Sequence, residues 1–253
     1  MTDFLYGRWP VLEALRAGRR KFEQILMADG VEDKDVIRDI VTEANRHNVE
    51  LRRVPRRVID DLSFEGNHQG VVLRTGEYPY VEVEDMLALA KTRDEKPFLL
   101  ILDLLKDPQN VGVLLRVADS VGIHGVILQT RRGVGVTPAV VAAASGATEH
   151  LNIAQVTNLN NTMKSLKEQE VWMVGLDIGP GLEPIDKIDL NMSLALVLGS
   201  EGEGMRRLVR DTCDMIVTLP MRGAVGSLNV ATSGAISLYA AWQARGWQGW
   251  RKI

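Results

Sequence analysis

Apolar residues fall into two patterns along the chain, and the change between them comes near residue 98. Downstream, short runs such as FLLIL (98–102), GVIL (125–128), LALVL (194–198) and MIVTL (215–219) are apolar almost throughout and bounded by Gly, Pro or Asp. Runs of about five residues without polar alternation read as strands buried on both faces. Further strands are expected over 171–177 and, shorter, 151–154. Between these lie helical spacings at 111–121, 138–144, 159–169, 205–212 and 230–245. Strands alternating with helices predict an α/β fold with a parallel sheet. Upstream, residues 1–75 read as a small α/β unit of their own. Helices are expected over 11–17, 34–47 and 58–62, and strands over 22–27, 49–54 and 70–74. Val36, Ile37, Ile40, Val41 and Ala44 carry the helical repeat of the second helix. Residues 76–97 hold Pro79, Pro97 and a short helical run at 83–91, and read as a linker. The expected domains are therefore 1–75, the linker 76–97, and 98–253.

Composition narrows this picture. No apolar run approaches the length that crosses a bilayer, so no membrane role is expected. The first ten residues, MTDFLYGRWP, carry no charged-then-apolar signal pattern. A single cysteine, Cys213, excludes an intrachain disulfide and reads as a small half-buried residue rather than a nucleophile. A cytoplasmic protein is expected. Net charge is −3, and the acidic excess lies in 76–97, where six acids face three bases; the flanking domains are balanced. Any nucleic-acid partner must then be met by local patches rather than a bulk field. Arg52, Arg53, Arg56 and Arg57 form one such cluster at a strand end. Grouped arginines grip phosphates, although around Pro55 they also fit a solvated turn.

In parallel α/β sheets ligands bind outside the carboxyl ends of strands. Chemistry is therefore expected at Gly199, Ser200 and Glu201 and in the loop 221–229, where small residues admit a ligand close to the backbone. There is no P-loop, no dinucleotide glycine fingerprint and no nucleophile elbow. His47, His68, His124 and His150 are scattered without metal-ligand spacing, so no metal is expected. Three motifs remain. In DPQNVGVLLRVADSVG, Asn110 is placed at a helix start as a cap and Arg116 follows less than two turns later. In LALVLGSEGEGM, Glu201 sits in a glycine-rich turn at a helix start, where an acid suits the helix dipole. In LPMRGAVGSLNVA, Ser227 and Asn229 are candidate caps of the last helix. Each has an ordinary structural role; that all three follow strands of one sheet is the stronger observation.

In order and spacing these motifs resemble those of the SpoU (TrmH-like) RNA ribose 2′-O-methyltransferases of the SPOUT class. The resemblance covers residues 98–245. LYGRWPVLEAL and NHQGVV in residues 1–75 are similar to the ribosomal-protein-like substrate-binding domain of the branch acting on 23S rRNA, where a guanosine is the target. The resemblance implies S-adenosyl-L-methionine as methyl donor, a deep trefoil knot in the C-terminal domain, and a homodimer. It implies catalytic roles for Asn110, Arg116, Glu201, Ser227 and Asn229, and backbone contacts to the cofactor at Gly199, Leu219 and Leu228. Gly226 and Ala231 stand where many relatives carry serine. For RNA phosphates the candidates are Arg8, Arg52, Arg53, Arg56, Arg57, Arg131, Arg132 and Arg222. Arg116 is read as a charged clamp rather than a base. Free arginine titrates above 12, and bringing it near 7 costs roughly 7 kcal/mol. The alternatives are a tRNA ribose methyltransferase, a non-catalytic RNA-binding ribosome-assembly factor, and a small-molecule oxidoreductase, which the missing dinucleotide fingerprint disfavours.

Overall fold

A computed structural model describes residues 2–64 and 66–250; the expected domain limits at 1 and 253 lie outside them. In chain order the elements are β1 (Thr2–Tyr6), α1 (Arg8–Ala17), β2 (Phe22–Ala28), α2 (Val36–Arg46), β3 (Glu50–Val54), α3 (Arg56–Leu62), β4 (Val71–Gly76), α4 (Val83–Thr92), β5 (Phe98–Leu102), α5 (Pro108–Ser120), β6 (Gly125–Gln129), α6 (Pro138–Ala143), β7 (Ile153–Val156), α7 (Leu159–Glu168), β8 (Trp172–Leu176), β9 (Glu183–Pro184), β10 (Leu194–Leu198), α8 (Arg207–Thr212), β11 (Met215–Thr218) and α9 (Val230–Ala244). They form two compact units, 1–79 with 136–150, and 80–135 with 151–253.

In the first unit four strands lie in the order β1-β4-β2-β3. β4 runs antiparallel to both β1 and β2, and β2 is parallel to β3. Side chains alternate across a strand, so β2 feeds two cores. Leu26 and Ala28 pack with Val54, Ile59 and Val72 on the α3 side; Ile25 and Met27 are buried as well. Strand β1 was not expected from the pattern: TDFLY is short and mixed. Segment 136–150, expected in the C-terminal domain, is part of this unit. Its short 3-10 turn, Ala147–His150, brings Glu149 to Arg20.

The second unit holds a seven-stranded sheet in the order β7-β6-β5-β10-β8-β11-β9, every pairing parallel. β5 and β10 are buried at every position, which is why their sequences show no alternation. One face carries Leu159, Met163 and Leu166 of α7 and Val209 of α8. α5 and α9 pack against each other. At Gly234 of α9 a Cβ would lie 2.3 Å from a Leu114 methyl and 2.6 Å from a Leu198 methyl, so any larger residue there makes those leucines move. Residues 83–92 of the expected linker form α4, and its Met86 packs in the core with Leu99 and Ile127.

His124 is buried next to β5. Its Nδ1 accepts the Phe98 N–H at 3.0 Å, and its Nε2 lies 3.0 Å from Glu95 Oε2. Burial pushes its pKa below the ordinary 6.5, with Glu95 pulling the other way. The unfolded chain takes up this proton near 6.5 and the folded chain only at lower pH. Stability contributed by neutral His124 is thus complete above about 6.5 and is lost as pH falls below it. We expect the urea midpoint to drop between about pH 7.5 and about pH 5.5, and the His124→Gln variant to show a smaller drop. An equal drop in the variant removes His124 as the cause.

Candidate active site

Three chain segments build the site, those following β5, β10 and β11. The loop after β10 folds back on itself: Ser200 N–H donates to Gly204 O at 3.0 Å and Gly204 N–H to Ser200 O at 2.9 Å. The turn requires left-handed backbone at Gly202 and Gly204, with φ of +80° and +69°, which glycine adopts without steric cost. A Cβ at Gly199 would sit 2.1 Å from the Gly204 carbonyl carbon, so the limbs of this loop meet backbone to backbone.

The loop after β11 ends at Asn229, the N-cap of α9. Its Oδ1 accepts from Ala231 N–H at 2.8 Å and Thr232 N–H at 3.3 Å. Its Nδ2 donates to Asn110 Oδ1 at 3.0 Å and to Glu201 Oε1 at 3.1 Å. Asn110 Nδ2 in turn donates to Glu201 Oε1 and, at 2.7 Å, to Asp107 Oδ2. Both amide hydrogens of each asparagine are used. Three side chains expected from three separate motifs therefore close one hydrogen-bonded ring.

Two expectations need correcting. Asn110 does not cap α5. Asp107 does, accepting from the Gln109 and Asn110 N–H groups, with Pro108 at the first helical position. Asn110 thus falls on the first turn, its amide free to reach across. Glu201 is not at a helix start: α8 begins at Arg207 behind Arg206 as N-cap. The Glu201 carboxylate serves two side-chain amides instead of a helix dipole.

Behind this ring, at the carboxyl ends of β8, β10 and β11, lies a cavity of about 550 Å³. Gly199, Leu219, Ser227, Leu228, Asn229 and Glu201 all line it. So do Asp177 and Glu203, and among the described residues no lysine or arginine does. Its carboxylates favour a ligand with positive charge, and its volume suits a molecule of cofactor size. Asn110 meets the cavity only through Glu201 and Asn229. Arg116 lies on the exposed side of α5 and does not line it.

The candidate RNA arginines are distributed over both units. Arg53 is engaged by Asp33 at 2.8 Å. Arg8 donates from its Nε to Gln69 O at 3.2 Å, and Arg56 lies 3.9 Å from Asp60. Arg52, Arg57, Arg131, Arg132 and Arg222 are exposed.

The sequence reading missed the support beneath the loop. Asp103, fully buried at the end of β5, accepts from the Arg206 N–H and Nε, both at 2.8 Å. Arg206 Nη2 reaches Gln129 Oε1 at 2.7 Å. This ties the ends of β5 and β6 to the far limb of the loop. Asp177, at the end of β8, pairs with Arg210. The available signal was an aspartate directly after the apolar runs FLLIL and WMVGL; a buried carboxylate such as Asp103 must be paired. Cys213 is half-buried, and burial, with Asp214 beside it, pushes its thiol up to about 12; little thiolate exists near neutrality, against a nucleophilic role.

Fold and site thus define a class: a parallel α/β domain with a cofactor-sized cavity at the carboxyl ends of its strands. Comparison with known proteins specifies it. The profile of the SpoU rRNA Methylase family matches residues 97–239, and that for RNA 2′-O ribose methyltransferase substrate binding matches residues 4–81. YacO of Bacillus subtilis (strain 168), named for the TrmH family of tRNA/rRNA methyltransferases, is 40% identical over 243 residues, 96% of each chain. The SpoU methyltransferase AviRb of Streptomyces viridochromogenes, solved with AdoMet, has the same fold, with a TM-score of 0.79 at 22% identity over 96% of this chain and 90% of that one. A TrmH-family structure from Porphyromonas gingivalis gives 0.73 at 25% identity, covering 96% and 90%. The chain belongs to the SpoU rRNA methylase family of RNA 2′-O-ribose methyltransferases.

Proposed function

We propose that the protein transfers a methyl group from S-adenosyl-L-methionine to the ribose 2′-hydroxyl of a guanosine in 23S rRNA. The observation that carries this reading is the Asn110–Glu201–Asn229 ring at the rim of a cavity lined by carboxylates. The cofactor supplies an electrophilic methyl on a positively charged sulfonium. Glu201 and Glu203 would offset that charge, Asp177 being already paired with Arg210, and the backbone at Gly199, Leu219 and Leu228 would hold the molecule. Asn110 and Asn229, locked by Glu201, fix the loops that would position the hydroxyl against the methyl donor. Ser227 orients the ribose. Arg116 holds an RNA phosphate and, as a fixed cation, favours loss of the hydroxyl proton to water at the open rim.

The choice of 23S rRNA rests on the substrate-binding domain and is an analogy, since the relatives' names cover tRNA and rRNA alike. A homodimer is supported by exposed apolar side chains on α5 and α9, Val113, Ile236 and Tyr239, with Trp247 folded edge-on against Trp242. The trefoil knot and a cytoplasmic location complete the reading by resemblance.

The test is transfer of label from S-adenosylmethionine to total RNA of a strain lacking the gene, followed by 2′-O-methyl mapping. One new methylguanosine in large-subunit rRNA is expected. Label in tRNA overturns the substrate, and cofactor binding without label in any RNA favours the assembly-factor reading. Arg116→Lys keeps the charge but loses the planar fork; it is expected to lower transfer about 10-fold or more, and unchanged transfer rules out a role needing the guanidinium.

A further inference from the structure

A second cleft, of about 460 Å³, lies wholly in the N-terminal unit, lined by Arg56, Asp60, Gly66, Asn67, His68 and Gln69. Its floor is rigid. His68 is buried; its Nδ1 accepts the Gly70 N–H at 2.9 Å, leaving the ring hydrogen on Nε2 to donate to Asp60 Oδ1 at 2.7 Å. Gln69 is held in left-handed backbone (φ +50°). Its Oε1 accepts the Arg8 N–H at 3.1 Å and its carbonyl the Arg8 Nε at 3.2 Å. A Cβ at Gly66 would lie 2.7 Å from the Tyr6 ring, so the turn is pressed onto β1. Asn67 and Gln69, on either side of His68, are exposed.

Phe64 precedes Gly66, one of the lining residues, by two positions. It is 91% exposed and in left-handed backbone (φ +49°), a conformation unfavourable for a bulky side chain. A lone exposed apolar residue needs no explanation. This one lies two positions from a polar cleft that Arg56 lines and whose Gln69 is hydrogen-bonded to Arg8, and its ring, 91% exposed, gains nothing from the protein's own core. An aromatic face, side-chain amides and arginines together are what an unpaired nucleotide requires: a surface to stack on, groups to meet the base edge, and charge for the phosphates. A duplex offers no free base face. Asp60 does not repel an anion strongly here, because its Oδ1 is already engaged by His68 and faces Arg56.

We propose that this cleft is a subsite for one unpaired nucleotide of the RNA, with the base stacked on Phe64, its edge met by the Asn67 and Gln69 amides, and its phosphate held by Arg56 and Arg8. The proposal rests on the reading of the chain as an RNA enzyme and places single-strand recognition in its N-terminal unit.

The test titrates the full chain against a fluorescein-labelled, unstructured octaribonucleotide and against a labelled RNA hairpin, by anisotropy. Phe64→Ala is expected to weaken binding of the unstructured strand by about 5- to 150-fold, the usual range for one lost base stack, while leaving the hairpin unchanged. Phe64→Trp retains a stacking face and is expected to bind like the wild type. Arg56→Ala is expected to lower the slope of log affinity against log salt by about 0.7. Undiminished binding of the unstructured strand by Phe64→Ala overturns the subsite, as does a wild-type chain that fails to bind it. Calorimetry of S-adenosylmethionine binding on the same samples reads the C-terminal site separately. Its failure counts against the proposed cofactor and leaves the subsite standing.

Discussion

Replacing Glu201 with alanine is expected to lower kcat/KM for RNA methylation by about 100-fold, the scale of a misplaced catalytic group, with little change in thermal stability. Glu201 is exposed, so its removal leaves no hole in the core. What it removes is the single carboxylate oxygen that accepts from both Asn110 Nδ2 and Asn229 Nδ2. Without it the loops following β5 and β11 lose their common anchor. Glu201→Gln keeps an acceptor oxygen and loses the charge. If anchoring is the role, Gln retains activity to within about 10-fold; if the negative charge matters for a cationic cofactor, Gln falls with Ala. Steady-state kinetics with both variants, read beside cofactor calorimetry, separates these roles. Unimpaired methylation by Glu201→Ala would remove the ring from the mechanism.

The largest expected effect on stability lies elsewhere, at Glu149. Its carboxylate takes both Arg20 Nε and Arg20 Nη2 at 2.9 Å, and both side chains are fully buried. Arg20 also donates to Asp3 and to the Gly76 carbonyl. Removing one partner of a buried pair leaves an uncompensated charge and costs about 3–5 kcal/mol. Glu149→Ala is therefore expected to destabilise the N-terminal unit on that scale. Hydrogen exchange of the β1 and β4 amides is the direct measurement, since a chain of two units need not unfold in one step. Arg20→Met with Glu149→Met removes both charges and is expected to recover part of the loss, not all, because Asp3 stays unpaired. Wild-type protection of β1 and β4 in Glu149→Ala would show that the pair does not hold this unit together.

Glu149 also shows where reading the chain in order fails. Its segment, 136–150, follows β6 in sequence and was assigned with the C-terminal sheet, yet it packs in the unit of β1 and α1. Helix α6 contains PAVVAA, an apolar run that does not by itself say which core it joins; the contact that marks its segment, Glu149 to Arg20, spans 129 residues. The start of the long sheet, by contrast, was legible at residue 98. A strand buried on both faces must be apolar at every position, and both FLLIL and LALVL were placed to the residue.

By itself, the sequence determined every strand of the long sheet but the two-residue β9, the helices between them, the three loops at its strand ends, and the residue types available there. Those follow from local rules: burial sets periodicity, and tight turns demand glycine. The tertiary structure alone decided that Asn110, Glu201 and Asn229 share one hydrogen-bonded ring and that Asp103 and Arg206 brace the glycine loop from below. Both depend on segments far apart in the chain, where direction and distance are set by packing, and a linear pattern carries neither. The Asp107 cap is local, two and three residues from the N–H groups it accepts, and with Pro108 behind it was open to a sequence reading.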